Sequence, residues 1–131
     1  MKILWLNLLL LVPIIALFMA KRYWPSHRWL ITGVFFGIVV APLSMGLYAT
    51  FFLPPIGIVT GMIGLVSLLF HDMPGYEFSI YFGFLPSHTV VAGIPNFYIE
   101  SINAIVWTIV YGFLGWIVDT LLSKRRCQSE Q

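Results

Sequence analysis

The sequence predicts an all-α membrane protein of four transmembrane helices, with a small aromatic loop of β-hairpin spacing on the extracytoplasmic side. Three observations carry this. The 131-residue chain is 60% hydrophobic and 9% charged, with a mean hydropathy of +0.93, well outside soluble-domain averages. Residues 29–70 hold no Asp, Glu, Lys, Arg or His and are interrupted near their middle by Pro54 and Pro55. At about 1.5 Å of rise per residue and about 20 residues per crossing, that run is about two spans long. Finally, every Lys and Arg flanks an apolar stretch: Lys2, then Lys21, Arg22 and Arg28, then Lys124, Arg125 and Arg126. Such placement suits lipid headgroups and topology setting, so no direct nucleic-acid contact is expected. The whole chain, 1–131, reads as one polytopic domain.

The first span covers residues 3–20. A charged start, an apolar core and Ala20 before Lys21 have the outline of a secretory signal. Phe18, however, stands where cleavage requires a small residue, so the span is read as retained. Pro13 loosens its middle, and Asn7 is suited to an interhelical hydrogen bond. Tyr23, Trp24 and Trp29 then mark headgroup depth, Pro25 breaks the chain, and Ser26 is placed to cap the next helix.

The second span, 29–53, carries Gly33, Gly37 and Ala41 four apart on one face, with Pro42 placed to bend it. Pro54 and Pro55 form the turn into a third span, 56–70, with Gly57 and Gly61 in the same spacing. Small residues at this interval let helix backbones approach closely in lipid, whether within the chain or between copies of it. At that length the third span is short for a full crossing.

Residues 71–101 form the aromatic loop, free of Lys and Arg and punctuated by Gly and Pro. From 76 to 84 the chain alternates, with Phe78, Ile80, Phe82 and Phe84 on one side and Glu77, Ser79, Tyr81 and Gly83 on the other. That is strand spacing, and a second short strand at 89–92 completes the hairpin. A re-entrant or fifth membrane segment is the rival reading. Tyr76, Phe78, Tyr81 and His88 are the candidate contact residues of the extracytoplasmic loop. The fourth span, 102–122, has Ala104, Thr108 and Gly112 four apart, and Asp119 near its end within reach of water and Lys124.

Four spans place both termini on one side. Cytoplasmic termini put four Lys and Arg inside against three outside and leave the Lys- and Arg-free loop outside. A five-span chain with an external N-terminus satisfies all the charges. His27, His71, Asp72, Glu77, His88, Glu100 and Asp119 are the polar candidates, and none stands in a metal, phosphate-loop or haem-ligand spacing. No GxSxG elbow surrounds Ser87 and His88. The single Cys127 forms no internal disulfide. No catalytic residue, metal or cofactor is therefore expected.

The reading that remains is a self-associating platform or sensor subunit of a bacterial inner membrane. Lys124, Arg125 and Arg126 would anchor its tail to lipid or receive a cytosolic protein partner. A small oligomeric channel or holin-like pore, or an accessory subunit of a larger complex, is the alternative. The layout, with Met1-Lys2 before a first span, the Pro54-Pro55 hairpin, the aromatic stretch 76–98 and the basic end at Lys124, Arg125 and Arg126, resembles the four-span membrane subunit of the Kiwa anti-phage defence system. That resemblance is one of size and layout and transfers no functional residue. It implies a homo-oligomer that detects infection and works with a cytosolic partner acting on DNA.

Overall fold

The computed structural model describes residues 7–52, 57–86 and 96–129, which form helices and connecting turns with no strand among them. The helices are α1 (Leu11–Tyr23), α2 (Arg28–Ala49), α3 (Gly57–Tyr81) and α4 (Phe97–Ser129). Short 3-10 turns occupy residues 7–10, Pro25–His27 and Thr50–Phe52.

Three helical stretches are long and apolar enough to cross a membrane: Pro25–Ala49, Gly57–Tyr81 and Phe97–Arg125. Their outward faces explain why lipid is the right solvent. Ile58, Val59, Ile63, Val66 and Leu69 on α3, and Ile105, Ile109 and Phe113 on α4, are each more than half exposed. In water such a surface would drive aggregation, whereas in hydrocarbon it has nothing to hide from. The 13 residues of α1 rise only about 20 Å, less than a bilayer core. This helix lies antiparallel on α2, where Asn7 Nδ2 donates to the Gly46 carbonyl at 3.2 Å. It continues past Ala20, so Lys21 and Arg22 fall in its last turn, where cations complement the helix dipole.

Glycines set the packing. A Cβ on Gly33 would run into the Tyr111 carbonyl, one on Gly37 into the Trp107 carbonyl and Thr108 backbone, and one on Gly115 into the Trp29 carbonyl. These contacts run α2 antiparallel to α4 at a separation only glycine allows. The N-terminal half of α3 meets the 3-10 turn after α2 through Gly61, whose Cβ would stand 2.6 Å from the Phe51 Cα, and the end of α2 through Gly64 against Leu47 and Tyr48. The C-terminal half of α3 meets α4 through Gly75, opposite Ile99 and Asn103.

Several expectations are corrected here. The third helix does not stop at residue 70, and residues 76–81 are helix rather than strand. Burial along α3 falls on Gly57, Gly61, Gly64, Leu68, His71, Gly75 and Ser79, a step of three or four throughout. The alternation at 76–84 misled because apolar residues are so dense that a period of two fits as readily as 3.6. The shortness of the third span disappears with this extension. Pro74 lies inside the helix, where a bundle interior tolerates it. The stop comes at Gly83, with φ +74: its N–H donates to the Ile80 carbonyl at 3.0 Å and the Phe84 N–H to the Ser79 carbonyl at 2.8 Å. That is a Schellman closure, which requires the left-handed conformation. The last helix begins at Phe97, ahead of the expected residue 102, and runs on through the tail to Ser129. Pro54, Pro55, His88 and the strand expected at 89–92 lie outside the described residues.

Candidate functional site

Helical spacing brings polar side chains together where α2, α3 and α4 meet. Ser67, His71 and Gly75 recur every four residues on α3, as do Asn103, Trp107 and Tyr111 on α4, and α2 adds Ser44. Tyr111 stands at the midpoint of the Phe97–Arg125 stretch, so whatever it touches is held near mid-span.

His71 is the centre and is buried. Its Nδ1 lies 2.8 Å from the Ser67 carbonyl, and its Nε2 lies 2.8 Å from the Tyr111 hydroxyl. A carbonyl only accepts, so Nδ1 carries the hydrogen and, in the neutral ring, Nε2 accepts from Tyr111. The Ser67 hydroxyl, 3.1 Å from Nδ1, stands 2.6 Å from the Ser44 hydroxyl, which donates to the Val40 carbonyl at 2.7 Å. With the Ser44 hydrogen committed, Ser67 must donate to Ser44. Every hydrogen from Tyr111 to Val40 then points one way.

Three aromatic rings enclose the imidazole: Trp107 at 4.6 Å between centroids, Phe70 at 5.3 Å and Tyr111 at 6.0 Å. The Trp107 indole N–H donates to the His71 carbonyl at 2.7 Å, tying the ring's own backbone to α4. On the outer side, Met62, Ile63, Val66, Ser67, Phe70 and His71 line an open groove of about 590 Å³.

A second branch begins one residue on. Asp72, half a face away from His71 on the helix, accepts from Asn103 Nδ2 at 3.1 Å, while Asn103 Oδ1 accepts from the Gly75 N–H at 2.7 Å. Asn103 is wholly buried and uses both ends of its amide. Glu100 Oε2 and Ser79 Oγ are buried beside this branch on α4 and α3 without a hydrogen-bond partner. Between residues 29 and 123 the sequence has no Lys or Arg, so these acids have no fixed cation within that stretch. Among the described residues, no group of three or more His, Cys, Asp or Glu converges to hold a metal.

Asp119 does something different from what its position near the helix end implied. It is buried, and its carboxylate accepts from the N–H groups of Trp29 at 3.1 Å and Leu30 at 2.9 Å. No side chain near the start of α2 caps it, Ser26 included, so a carboxylate from α4 satisfies the helix's open donors instead.

The other expected residues scatter. Gly33, Gly37, Gly61 and Gly112 face their own chain's helices, Gly57 and Ala41 are buried, and Ala104 and Thr108 are half-buried on α4. Lys124 and Arg125 are exposed on the last turns of α4, and Arg126 lies on the same helix. Tyr76 is half-buried on α3, whereas Phe78 and Tyr81 are exposed toward its end, where Phe82, Phe84, Tyr98 and Phe97 continue the aromatic cluster. The sequence alone places His71 and Asp72 in the aromatic loop, ahead of the strand expected at 76–84, and does not single out Ser44, Ser67, Asn103, Trp107 and Tyr111. The available signal was the shared four-residue step on two helices. No family model, curated protein or solved structure matches this chain.

Proposed function

We propose that the chain is a non-enzymatic multi-pass membrane subunit that senses a condition at the membrane and relays it to a partner. The observation that carries this reading is the His71 network: an ionisable side chain hydrogen-bonded across helices at the middle of an apolar bundle. Ionisable groups at such depth are costly and are kept where they serve a function. In this reading α1 is a fourth membrane segment, the membrane is a bacterial inner membrane, and both termini are cytoplasmic. Lys124 and Arg125 then lie at anionic headgroups, free to meet an acidic cytosolic partner. The glycine faces are occupied within the chain, so self-association uses the outward surface of the helices. A role in anti-phage defence follows from the resemblance in layout alone.

Purification in native-lipid nanodiscs with mass measurement tests the reading. A multiple of 14.9 kDa with a stoichiometric soluble partner is expected, and a bare monomer would overturn it. Substituting Arg125→Gln and Arg126→Gln in correctly inserted protein is expected to release that partner. A reporter active only outside the cytoplasm should be silent after Gln131 and active near Ser87. Ion conductance in lipid bilayers would instead make the chain a pore.

A further inference from the structure

We propose that His71 is a proton-binding site inside the bundle, and that uptake of a proton at Nε2 reverses its hydrogen bond with Tyr111. The inference deepens the sensing reading by naming a stimulus, and it rests on that reading only for what the proton signals.

The geometry leaves Nε2 as the one place to add a proton. Nδ1 already holds its hydrogen against the Ser67 carbonyl. The incoming proton, delivered by water, forms an N–H bond with the Nε2 lone pair, and the ring gains one positive charge. Tyr111 can no longer donate to that nitrogen, so its O–H rotates away and its oxygen accepts at the same 2.8 Å. The Ser67 and Ser44 bonds keep their direction. One link of the chain changes sense, and it is one of the bonds that hold α3 to α4 near mid-span.

The surroundings can accept the charge. The rings of Trp107, Phe70 and Tyr111 have their centroids 4.6, 5.3 and 6.0 Å from that of the imidazole, within the range at which aromatic rings attract cations, and Tyr111 is stacked on it. Toward α2 the ring's polar contacts lead through the Ser67 hydroxyl to that of Ser44, both neutral. On α3, Asp72 follows it directly and is tied to Asn103, while Glu77 is exposed further along. On α4, Glu100 lies about two turns before Trp107, and Asp119 lies about two turns beyond Tyr111, committed to the start of α2. All four are acids, and no Lys or Arg between residues 29 and 123 competes with an imidazolium. Ser67 and His71 are among the residues that line the open groove on the outer side of α3, which brings the outside close to the network.

The test uses the full chain in lipid nanodiscs with His27→Gln and His88→Gln, which leaves His71 as the only histidine, and reads its ring nitrogens by ¹⁵N NMR across pH. At high pH the hydrogen is expected on Nδ1 and the lone pair on Nε2. As pH falls both nitrogens should become protonated, and tryptophan emission should drop over the same range because Trp107 adjoins the ring. Tyr111→Phe removes the partner of Nε2 and should move the midpoint. A hydrogen on Nε2 at high pH overturns the proposal, as does a midpoint that Tyr111→Phe leaves in place. So does a ring still singly protonated at about pH 4, well below the ordinary histidine value, in protein that keeps its helicity. Proton uptake without any partner in the nanodisc experiments would sink the relay reading and leave this site standing.

Discussion

The helix α4 has two interfaces built on opposite principles. Against α2 it packs backbone on backbone: Gly33, Gly37 and Gly115 remove side chains from the contact, and Asp119 closes one end. Against α3 a glycine approach is confined, among the described residues, to Gly75, and the contact rests mainly on chemistry, with Asn103, Trp107 and Tyr111 each hydrogen-bonded across the gap. Lipid removes the hydrophobic drive that joins helices in water, leaving close van der Waals contact and polar bonds as the two means of association. The first makes a rigid contact that tolerates no added atom. The second makes a contact with defined, switchable bond directions.

The largest expected effect lies in the backbone contact. Gly37→Leu places a branched side chain where the Trp107 carbonyl already sits, so the helices must part; a loss of about 3 kcal/mol or more, or failure to fold, is expected in reversible unfolding from mixed micelles. Normal stability would show that α2 and α4 do not approach as described. A leucine placed on the lipid face, Ile109→Leu, should be nearly neutral because Ile109 is 66% exposed and the swap keeps its volume.

Next comes the polar contact. Asn103→Leu strands the Gly75 N–H and takes a donor from Asp72, for an expected loss of about 1–3 kcal/mol in the same assay. Asp119→Ala uncaps α2 and should cost about 0.5–2 kcal/mol, with Asp119→Asn recovering part of it. Among the interface changes, the smallest effect is expected at the end of the hydrogen-bonded chain. Ser44→Ala removes one interhelical bond, for about 0.6 kcal/mol, and frees the Ser67 hydroxyl without touching His71 Nδ1. If Ser44→Ala proves as damaging as Gly37→Leu, the contrast between the two interfaces fails.

Much of the rigid interface was readable in advance, since Gly33, Gly37, Thr108 and Gly112 stand out as small residues at a four-residue step. What the step does not say is whose backbone fills the space, and the same stripe serves a neighbour or the chain itself. The polar interface was not readable. Asn103, Trp107 and Tyr111 share that step too, but each is ordinary in an apolar helix until its partner is known.

The sequence by itself determined the solvent. Composition and long uncharged runs point to lipid around these helices, because they leave much apolar surface to be covered. It also held the stop signal at Gly83, whose freedom at positive φ ends α3 where side-chain alternation pointed to a strand. Only the tertiary structure decided what the polar residues do. Asp119 and the α2 start that it caps are about 90 residues apart in sequence, and the distances from His71 to Tyr111 and Ser44 are likewise set by packing. Local rules of spacing and capping act within a few residues, whereas a hydrogen bond across helices exists only once the backbones have met.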